Sequence, residues 1–222
     1  MLLVIFGLNS CSSLVKSPFT DIQRIKAAEV FDESELLASL EQILEWHQTN
    51  QTDVPAALNP GIERASILDA FSEFPCQPTE ELIRLWEWRN GTQSTPVPFI
   101  WYHDFLSVED SLSEYKRLTS NPLIIWNKNW IPIFSFEGEW YFTECYEETQ
   151  IASPVGYLFI ETQEPTYTYL SLTRMLETAA AWFNQGAVFW DNESWGLGDN
   201  IKEVFAIHQR LNEGAHFPYH IE

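Results

Sequence analysis

Residues 130–146 read WIPIFSFEGEWYFTECY, a run rich in aromatic and β-branched side chains that is interrupted once, by Glu137-Gly138. Such runs favour β-strands, and a Glu-Gly pair between two of them indicates a tight hairpin turn. Alternation along the second run sends Trp140, Phe142 and Glu144 to one face of a sheet and the residues between them to the other. The stretch therefore predicts two antiparallel strands. Pro132 predicts an edge or a bulge in the first of them.

Outward from this hairpin, residues 155–161 predict a further strand, and most of the remaining pattern is helical. Helix starts are indicated by residues whose side chains accept hydrogen bonds from free backbone N–H groups: Asp32, Thr79, Ser107 and Ser171. The sequence also predicts a helix from Asn59-Pro60-Gly61, a helix end at Asn90-Gly91 and a last helix over about 200–212. Helices before and after a meander of strands predict an α+β fold, with helices covering a mainly antiparallel sheet in a single domain.

The net charge of the chain limits the classes of partner that it is expected to bind. It has 222 residues, and 32 acidic residues against 12 basic ones give a net charge of −20. A phosphate backbone would be repelled by most of this surface, so nucleic acid is not an expected ligand. The acidity suits either simple solubility or attraction of a basic protein.

Cysteine and histidine usage predicts neither a disulfide framework nor a metal site. Cys11, Cys76 and Cys145 are odd in number, far apart and outside any CxxC pair, which favours a reducing compartment. His216 and His220 are four residues apart, but Pro218 lies between them. No cofactor motif is present, so no cofactor or metal is expected.

We expect the first 30 residues to form an apolar or extended N-terminal segment. Residues 1–8 are largely apolar but are not preceded by Lys or Arg, as a secretory signal would be, and they are too few to span a membrane. We expect a cytoplasmic protein with no membrane span. A lipoprotein modified at Cys11 is the alternative.

Over residues 58–183 the order of elements resembles the SMI1/KNR4 (SUKH) family. The strings that carry the resemblance are LNPGI (58–62), WEWRNG (86–91), FLSVEDSL (105–112), WIPIF (130–134), GEWY (138–141) and the helix at 171–183. The matching positions, which the resemblance makes structural, are Asn59, Pro60, Trp86, Asn90, Gly91, Trp130, Pro132 and Gly138. The chain departs from the family where Glu137-Gly138-Glu139 replaces a Gly-Asp-like turn.

The resemblance implies an SMI1/KNR4-like domain over 31–186, with 187–222 as a helical extension packed on it. It also implies a non-catalytic protein-binding module, in its sharpest form an immunity-type inhibitor of a basic toxin. Two alternatives stay open: a regulatory or scaffolding domain without a toxin, and a carbohydrate-binding or carbohydrate-active protein. Oligomeric state and partner identity are not indicated.

Residues that could contact a partner are the acidic and aromatic ones in less regular segments. The candidates are Trp101, Asp104, Glu137, Glu139, Trp190, Asp191, Glu193 and Trp195. Aromatic side chains dominate interface hot spots, and carboxylates would attract a basic partner. Paired carboxylates could also serve glycoside hydrolysis, but hydrolase, phosphate-binding and zinc motifs are missing, so we expect no enzyme and no catalytic residue.

Overall fold

The computed structural model describes residues 31–93, 97–191 and 196–219. These residues form an α+β fold, as predicted, with antiparallel pairing in every sheet. The helices are α1 (Glu33–Thr49), α2 (Val54–Ala57), α3 (Arg64–Ala70), α4 (Glu80–Trp88), α5 (Val108–Ser120), α6 (Leu172–Asn184) and α7 (Ile201–Leu211). The strands are β1 (Leu58–Pro60), β2 (Arg89–Thr92), β3 (Asp104–Phe105), β4 (Trp130–Phe136), β5 (Glu139–Glu144), β6 (Val155–Phe159), β7 (Thr166–Tyr169), β8 (Val188–Asp191) and β9 (Gly196–Asp199).

The central sheet has five strands in the order β3-β4-β5-β6-β7. The hairpin predicted from residues 130–146 is its middle, with Phe136 paired to Glu139 across the turn. The register shifts between Pro132 and Phe134, so the predicted bulge is present. The bulge suits a proline, which has no N–H to give to the ladder.

The two faces of this sheet pack against different partners. On one face Tyr141 and Cys145 join the main core, together with the inner faces of α1, α4, α6 and α7. On the other face Trp140 and Phe142 join a smaller cluster under the loop that follows α5. The alternation predicted for β5 is therefore confirmed, and burial of both faces explains why this strand is so rich in aromatic residues.

Helix starts are set by the side chains that the sequence indicated. Asp32 accepts from the backbone N–H of Ser34 at 2.8 Å, and Ser107 accepts from that of Asp110 at 3.0 Å. Thr79 and Ser171 cap α4 and α6 in the same way.

Two predicted helix boundaries are wrong. Asn59-Pro60 does not begin a helix but lies in β1, and α3 starts only at Arg64. Asn90-Gly91 does not end a helix but lies in β2. Gly91 has φ +77°, and a Cβ there would lie 2.3 Å from the backbone nitrogen of Ser107. Close approach of two backbone segments, and not a helix end, is the reason for this glycine.

The expectation that the cysteines stay apart is also wrong. Cys76 and Cys145 form a disulfide, with Cα atoms 5.4 Å apart and a sequence separation of 69. Backbone hydrogen bonds between Gln77 and Tyr146 lie beside it. Disulfides are typical of oxidising compartments, so this bond argues against the reducing compartment expected from the sequence. Cytoplasmic location stays a prediction, and Cys11 lies outside the described residues.

The segment after α6 holds a β-hairpin, β8-β9, which the sequence did not predict, as well as the expected last helix. Trp182 of α6 donates to the carbonyl oxygen of Val204 in α7 at 3.0 Å, and Val204 is fully buried. Among the described residues, no helix is long and apolar enough to cross a membrane.

Candidate functional site

One end of the central sheet, where β4 turns into β5, combines exposed apolar side chains with carboxylates. We call it the hairpin-end surface and define it as Tyr102, Phe136, Glu137, Ile160 and Glu161. The three apolar members are 36%, 37% and 36% exposed, in that order. Tyr102 and Phe136 stack at 5.9 Å, and the backbone of Ile160 bonds to that of Gly138 in the turn at 2.9 Å. Exposed aromatic groups beside carboxylates are a feature of protein-binding surfaces.

Behind this surface lies an incompletely paired couple, the buried His103 and the partly buried Glu139. The His103 side chain is 1% exposed and that of Glu139 is 18% exposed, and Nε2 of the histidine lies 3.4 Å from Oε2 of the glutamate. Within the described part of the chain, neither atom has a hydrogen-bond partner of good geometry. Burial lowers the pKa of His103, with Glu139 opposing the effect, so the imidazole is neutral at neutral pH and does not cancel the charge of a carboxylate.

Four tyrosines surround this couple. Tyr141 lies 4.6 Å from the His103 ring, and its hydroxyl is 3.3 Å from that of Tyr219. Burial, and then the neighbouring Glu139 carboxylate, raise the pKa of Tyr157 far above its ordinary value. Burial and a hydrogen bond to Asp199 raise the pKa of Tyr102 to about 12. Burial also raises the pKa values of Tyr141 and Tyr219, so all four phenols stay protonated at neutral pH. The hydroxyl of Tyr102 donates to Asp199 at 2.8 Å.

A pocket of about 400 Å³ opens beside Glu139. This volume lies in the range typical of ligand sites. Its lining residues are Glu139, Tyr157, Phe159, Thr162, Glu164, Thr166, His216, Pro218 and Tyr219. The pocket is thus acidic and aromatic. Hollows of about 350 and 510 Å³ on the helical side, by contrast, are lined by residues of the helices and their ends, such as Gln42 and Arg210, and hold no aromatic ring.

The structure places four of the predicted contact residues close to this end of the sheet, but in different environments. Glu137 is exposed in the turn with φ +37°, and Glu139 is the partly buried partner of His103. Asp104 begins β3 and is half-buried, which raises its pKa. The expectation that Trp101 is exposed is wrong: it is 4% exposed, and its indole N–H donates to Asp199 at 3.3 Å.

Of the other four predicted contact residues, two lie on β8. Trp190 is partly buried and packs against the main core, and Asp191, also partly buried, ends β8. Glu193 and Trp195 lie outside the described residues. The described members of this group do not join the hairpin-end surface.

The positions singled out by the resemblance hold the fold together. Asn90 is 9% exposed, accepts from the N–H of Val108 at 2.9 Å and donates to Glu109 at 3.0 Å. Asn59 donates to the carbonyl oxygen of Asn90 at 3.0 Å, which ties β1 to β2. Pro60 ends β1 on an exposed edge.

The remaining resemblance positions also have structural contacts. Trp86 is fully buried and donates to the carbonyl oxygen of Leu106 at 3.1 Å. Trp130 stacks on Phe142 at 4.1 Å, and the carbonyl oxygen of Pro132 accepts from Ser111 at 2.6 Å. Gly138, with φ +94°, allows the tight turn.

Sequence reasoning missed His103, Tyr157 and Tyr219 as site residues. His103 follows Trp101 and Tyr102 directly, so a run of aromatic and titratable residues was a usable signal. Tyr157 lies on an ordinary alternating strand, and Tyr219 lies in an irregular tail. Nothing local distinguishes either of them from a core aromatic residue.

Among residues 31–93, 97–191 and 196–219, no group of three or more His, Cys, Asp and Glu residues is arranged to hold a metal ion. His216 lies at the pocket, and His220 is outside the described residues.

A scan of the chain against models of known protein families finds no match, and a search of curated proteins finds none either. The resemblance to the SMI1/KNR4 family therefore stays a prediction.

Proposed function

We propose that this chain is a non-catalytic protein-binding module that docks a basic protein through the hairpin-end surface. The observation that carries the proposal is the combination of exposed Tyr102, Phe136 and Ile160 with carboxylates, on a chain of net charge −20. The apolar side chains supply area that water leaves on binding, and the carboxylates select a cationic partner and accelerate encounter. Inhibition of a basic toxin is the most specific version of this proposed function.

The local charge balance supports a basic partner. The arginine ion pairs of the described residues lie elsewhere: Arg64 with Glu80, Arg84 with Glu33 and Glu87, Arg117 with Glu114, and Arg174 with Glu177. Glu137 and Glu161 at the hairpin-end surface are exposed, and the ion pairs of the described residues do not include them. Their field is therefore directed at solvent and at whatever docks there.

Affinity capture from native host lysate at low and high salt, with mass spectrometry of the retained proteins, tests this proposal. Phe136→Ser removes an exposed aromatic group of the surface, and Ile151→Ser is its matched control, since Ile151 is 54% exposed in the loop after β5, away from the turn. We expect one basic protein that is retained at low salt, released at high salt and lost with Phe136→Ser alone. Equal retention by both variants would remove the hairpin-end surface from the proposal. Several unrelated partners would favour a regulatory or scaffolding role.

Carbohydrate binding is a second candidate, because the pocket beside Glu139 is concave, acidic and lined by aromatic rings. Saccharides stack on such rings and hydrogen-bond to carboxylates. Binding of neutral oligosaccharides from an array, weakened by Glu139→Gln, would favour this candidate over the protein partner.

A further inference from the structure

The pocket beside Glu139 has walls and charge suited to a cationic side chain. Tyr157, Phe159 and Tyr219 supply aromatic rings, and Tyr157 and Tyr219 meet at an angle of 60° with their centroids 5.8 Å apart. Glu139 lies beside these rings and Glu164 at the exposed rim. Aromatic faces attract cations, and more strongly where water is excluded.

The charge of Glu139 is not balanced by the chain itself within the described residues. The ion pairs found there give it a single basic neighbour, His103, which is neutral. Among the described residues that line the pocket there is no Lys and no Arg. A carboxylate that is largely buried without a cation is costly, and a ligand that supplies the positive charge recovers that cost.

Two polar atoms at the pocket lack hydrogen-bond partners among the described residues. They are Oε2 of Glu139 and Oγ1 of Thr166, and both are shielded from water. Native proteins pair nearly all such atoms. These two atoms show that hydrogen-bond donors are scarce beside the pocket, whose accessible surface includes the carboxylate and the aromatic rings.

We propose that the pocket receives a cationic side chain, preferentially arginine, presented by a protein partner. A guanidinium group is planar, stacks on aromatic rings and carries five N–H donors in a fixed fork that fits a carboxylate. It therefore matches the aromatic rings and the carboxylate of the pocket together. The protein source of the arginine rests on the proposed function, whereas the preference of the pocket for a cation stands on its geometry alone.

Titration with Nα-acetyl-arginine amide, followed by ¹H–¹⁵N chemical-shift changes, tests the pocket. The control ligand is Nα-acetyl-citrulline amide, which has nearly the same shape but no charge. We expect the arginine derivative to shift the signals of Tyr157 and Tyr219 and to bind roughly tenfold more tightly than the citrulline derivative. Equal affinity for the two ligands would overturn the proposal. So would a neutral oligosaccharide that shifts the same signals when the arginine derivative does not.

Three variants test which carboxylate is responsible for arginine binding. Glu139→Gln keeps the shape and removes the charge, and we expect it to weaken arginine binding roughly tenfold. Glu164→Gln, at an exposed position that leaves the fold intact, should weaken it about threefold. Glu148→Gln makes the same change at an exposed residue beyond the other end of β5 and should have no effect. Equal affinity of Glu139→Gln and Glu148→Gln would overturn the assignment, provided that both variants show the wild-type spectrum elsewhere.

Capture experiments with the same variants separate this inference from the proposed function. If Glu139→Gln loses a basic partner that Glu148→Gln retains, the partner uses the pocket. A partner retained by both variants overturns the assignment of a protein as the source of the arginine and leaves the binding function standing. If the wild type retains no partner, the proposed function fails, and the arginine titration still tests whether the pocket binds a cation.

Discussion

The two ends of strand β5 each carry a glutamate, and the two carboxylates differ in their hydrogen-bond partners. At the end near the disulfide, Glu144 is 8% exposed and accepts hydrogen bonds from the hydroxyls of Tyr167 and Tyr146, one on each oxygen. At the hairpin end, Oε2 of Glu139 has no hydrogen-bond partner among the described residues and its neighbour His103 is neutral.

This difference separates a structural carboxylate from a binding one. Both carboxylate oxygens of Glu144 accept hydrogen bonds from tyrosine hydroxyls, and the Cys76–Cys145 disulfide fixes the adjacent backbone. We call this the closed end of the strand. At the hairpin end, Oε2 of Glu139 has no hydrogen-bond partner of good geometry among the described residues, and a pocket of about 400 Å³ lies beside the carboxylate. Buried polar groups that the fold leaves unpaired cost stability and are found preferentially where a ligand pairs them.

Removal of the disulfide should have the largest effect on stability. Cys76→Ala with Cys145→Ala opens a loop of 69 residues, and we expect the free energy of unfolding to fall by about 4 kcal/mol because the unfolded chain gains conformational freedom. Urea unfolding followed by circular dichroism measures the change. Reductant should have no additional effect on the double variant. A wild-type midpoint in the double variant would mean that the closed end does not depend on this bond.

Glu144→Ala should come next. It takes away the acceptor of two tyrosine hydroxyls, so we expect a loss of about 3 kcal/mol in the free energy of unfolding. Tyr146→Phe removes one hydrogen bond and keeps the ring, and it should cost about 1 kcal/mol. Urea unfolding of both variants checks the order. If Glu144→Ala costs no more than Glu139→Ala, the contrast between the two ends of β5 is wrong.

Protonation of His47 should make the stability of the folded protein depend on pH. Both ring nitrogens of His47 have partners, Thr52 and the carbonyl oxygen of Phe99, and burial lowers its pKa to about 4. The unfolded chain binds this proton at a higher pH than the folded chain. The contribution of His47 to stability is therefore complete above about pH 6.5 and falls as the pH drops towards 4, by about 3 kcal/mol.

His47→Gln keeps a hydrogen-bonding side chain and removes the titration. Carboxyls with raised pKa, such as Glu81 and Asp104, act in the opposite sense, so the informative quantity is the difference between variant and wild type. Thermal unfolding at a series of pH values should show a shallower slope in the variant between pH 6.5 and 4. An unchanged slope would show that His47 titrates normally in the folded protein.

The smallest expected effect lies in the turn itself. Glu137 has φ +37°, a conformation that asparagine tolerates better than glutamate. We expect Glu137→Asn to raise the free energy of unfolding by about 0.5 kcal/mol while it removes a carboxylate from the hairpin-end surface. Thermal unfolding measures the increase in stability, and capture of the basic partner measures the loss of binding. A variant that is both less stable and equally good at binding would contradict the assignment of Glu137 to function.

The fold could be predicted largely because its decisive signals are local. Alternation along residues 130–146 gave the central hairpin and the faces of Trp140 and Tyr141, and the capping residues Asp32 and Ser171 gave two helix starts. Local signals failed at Gly91, where a contact with Ser107, distant in sequence, determines the conformation.

The candidate site could be predicted only in part because its members come from distant segments. Glu139 and Glu137 were found because they lie in a recognisable turn. His103 and Tyr219 reach Glu139 and Tyr157 only through the packing of β3 and the C-terminal tail against the sheet. The disulfide was missed for the same reason, since a separation of 69 residues gives no local signal. Trp101 was assigned to the surface because its segment is irregular, but Asp199 and Trp182 hold it inside.

The most direct test of the account is to measure arginine affinity and unfolding free energy together for Glu139→Gln. The account predicts that affinity for Nα-acetyl-arginine amide falls roughly tenfold, while the free energy of unfolding stays within about 0.5 kcal/mol of the wild type or rises. The opposite result, unchanged affinity with a stability loss of about 3 kcal/mol, the size expected for Glu144, would show that Glu139 is a structural carboxylate like Glu144 and that the hairpin end is not a binding site.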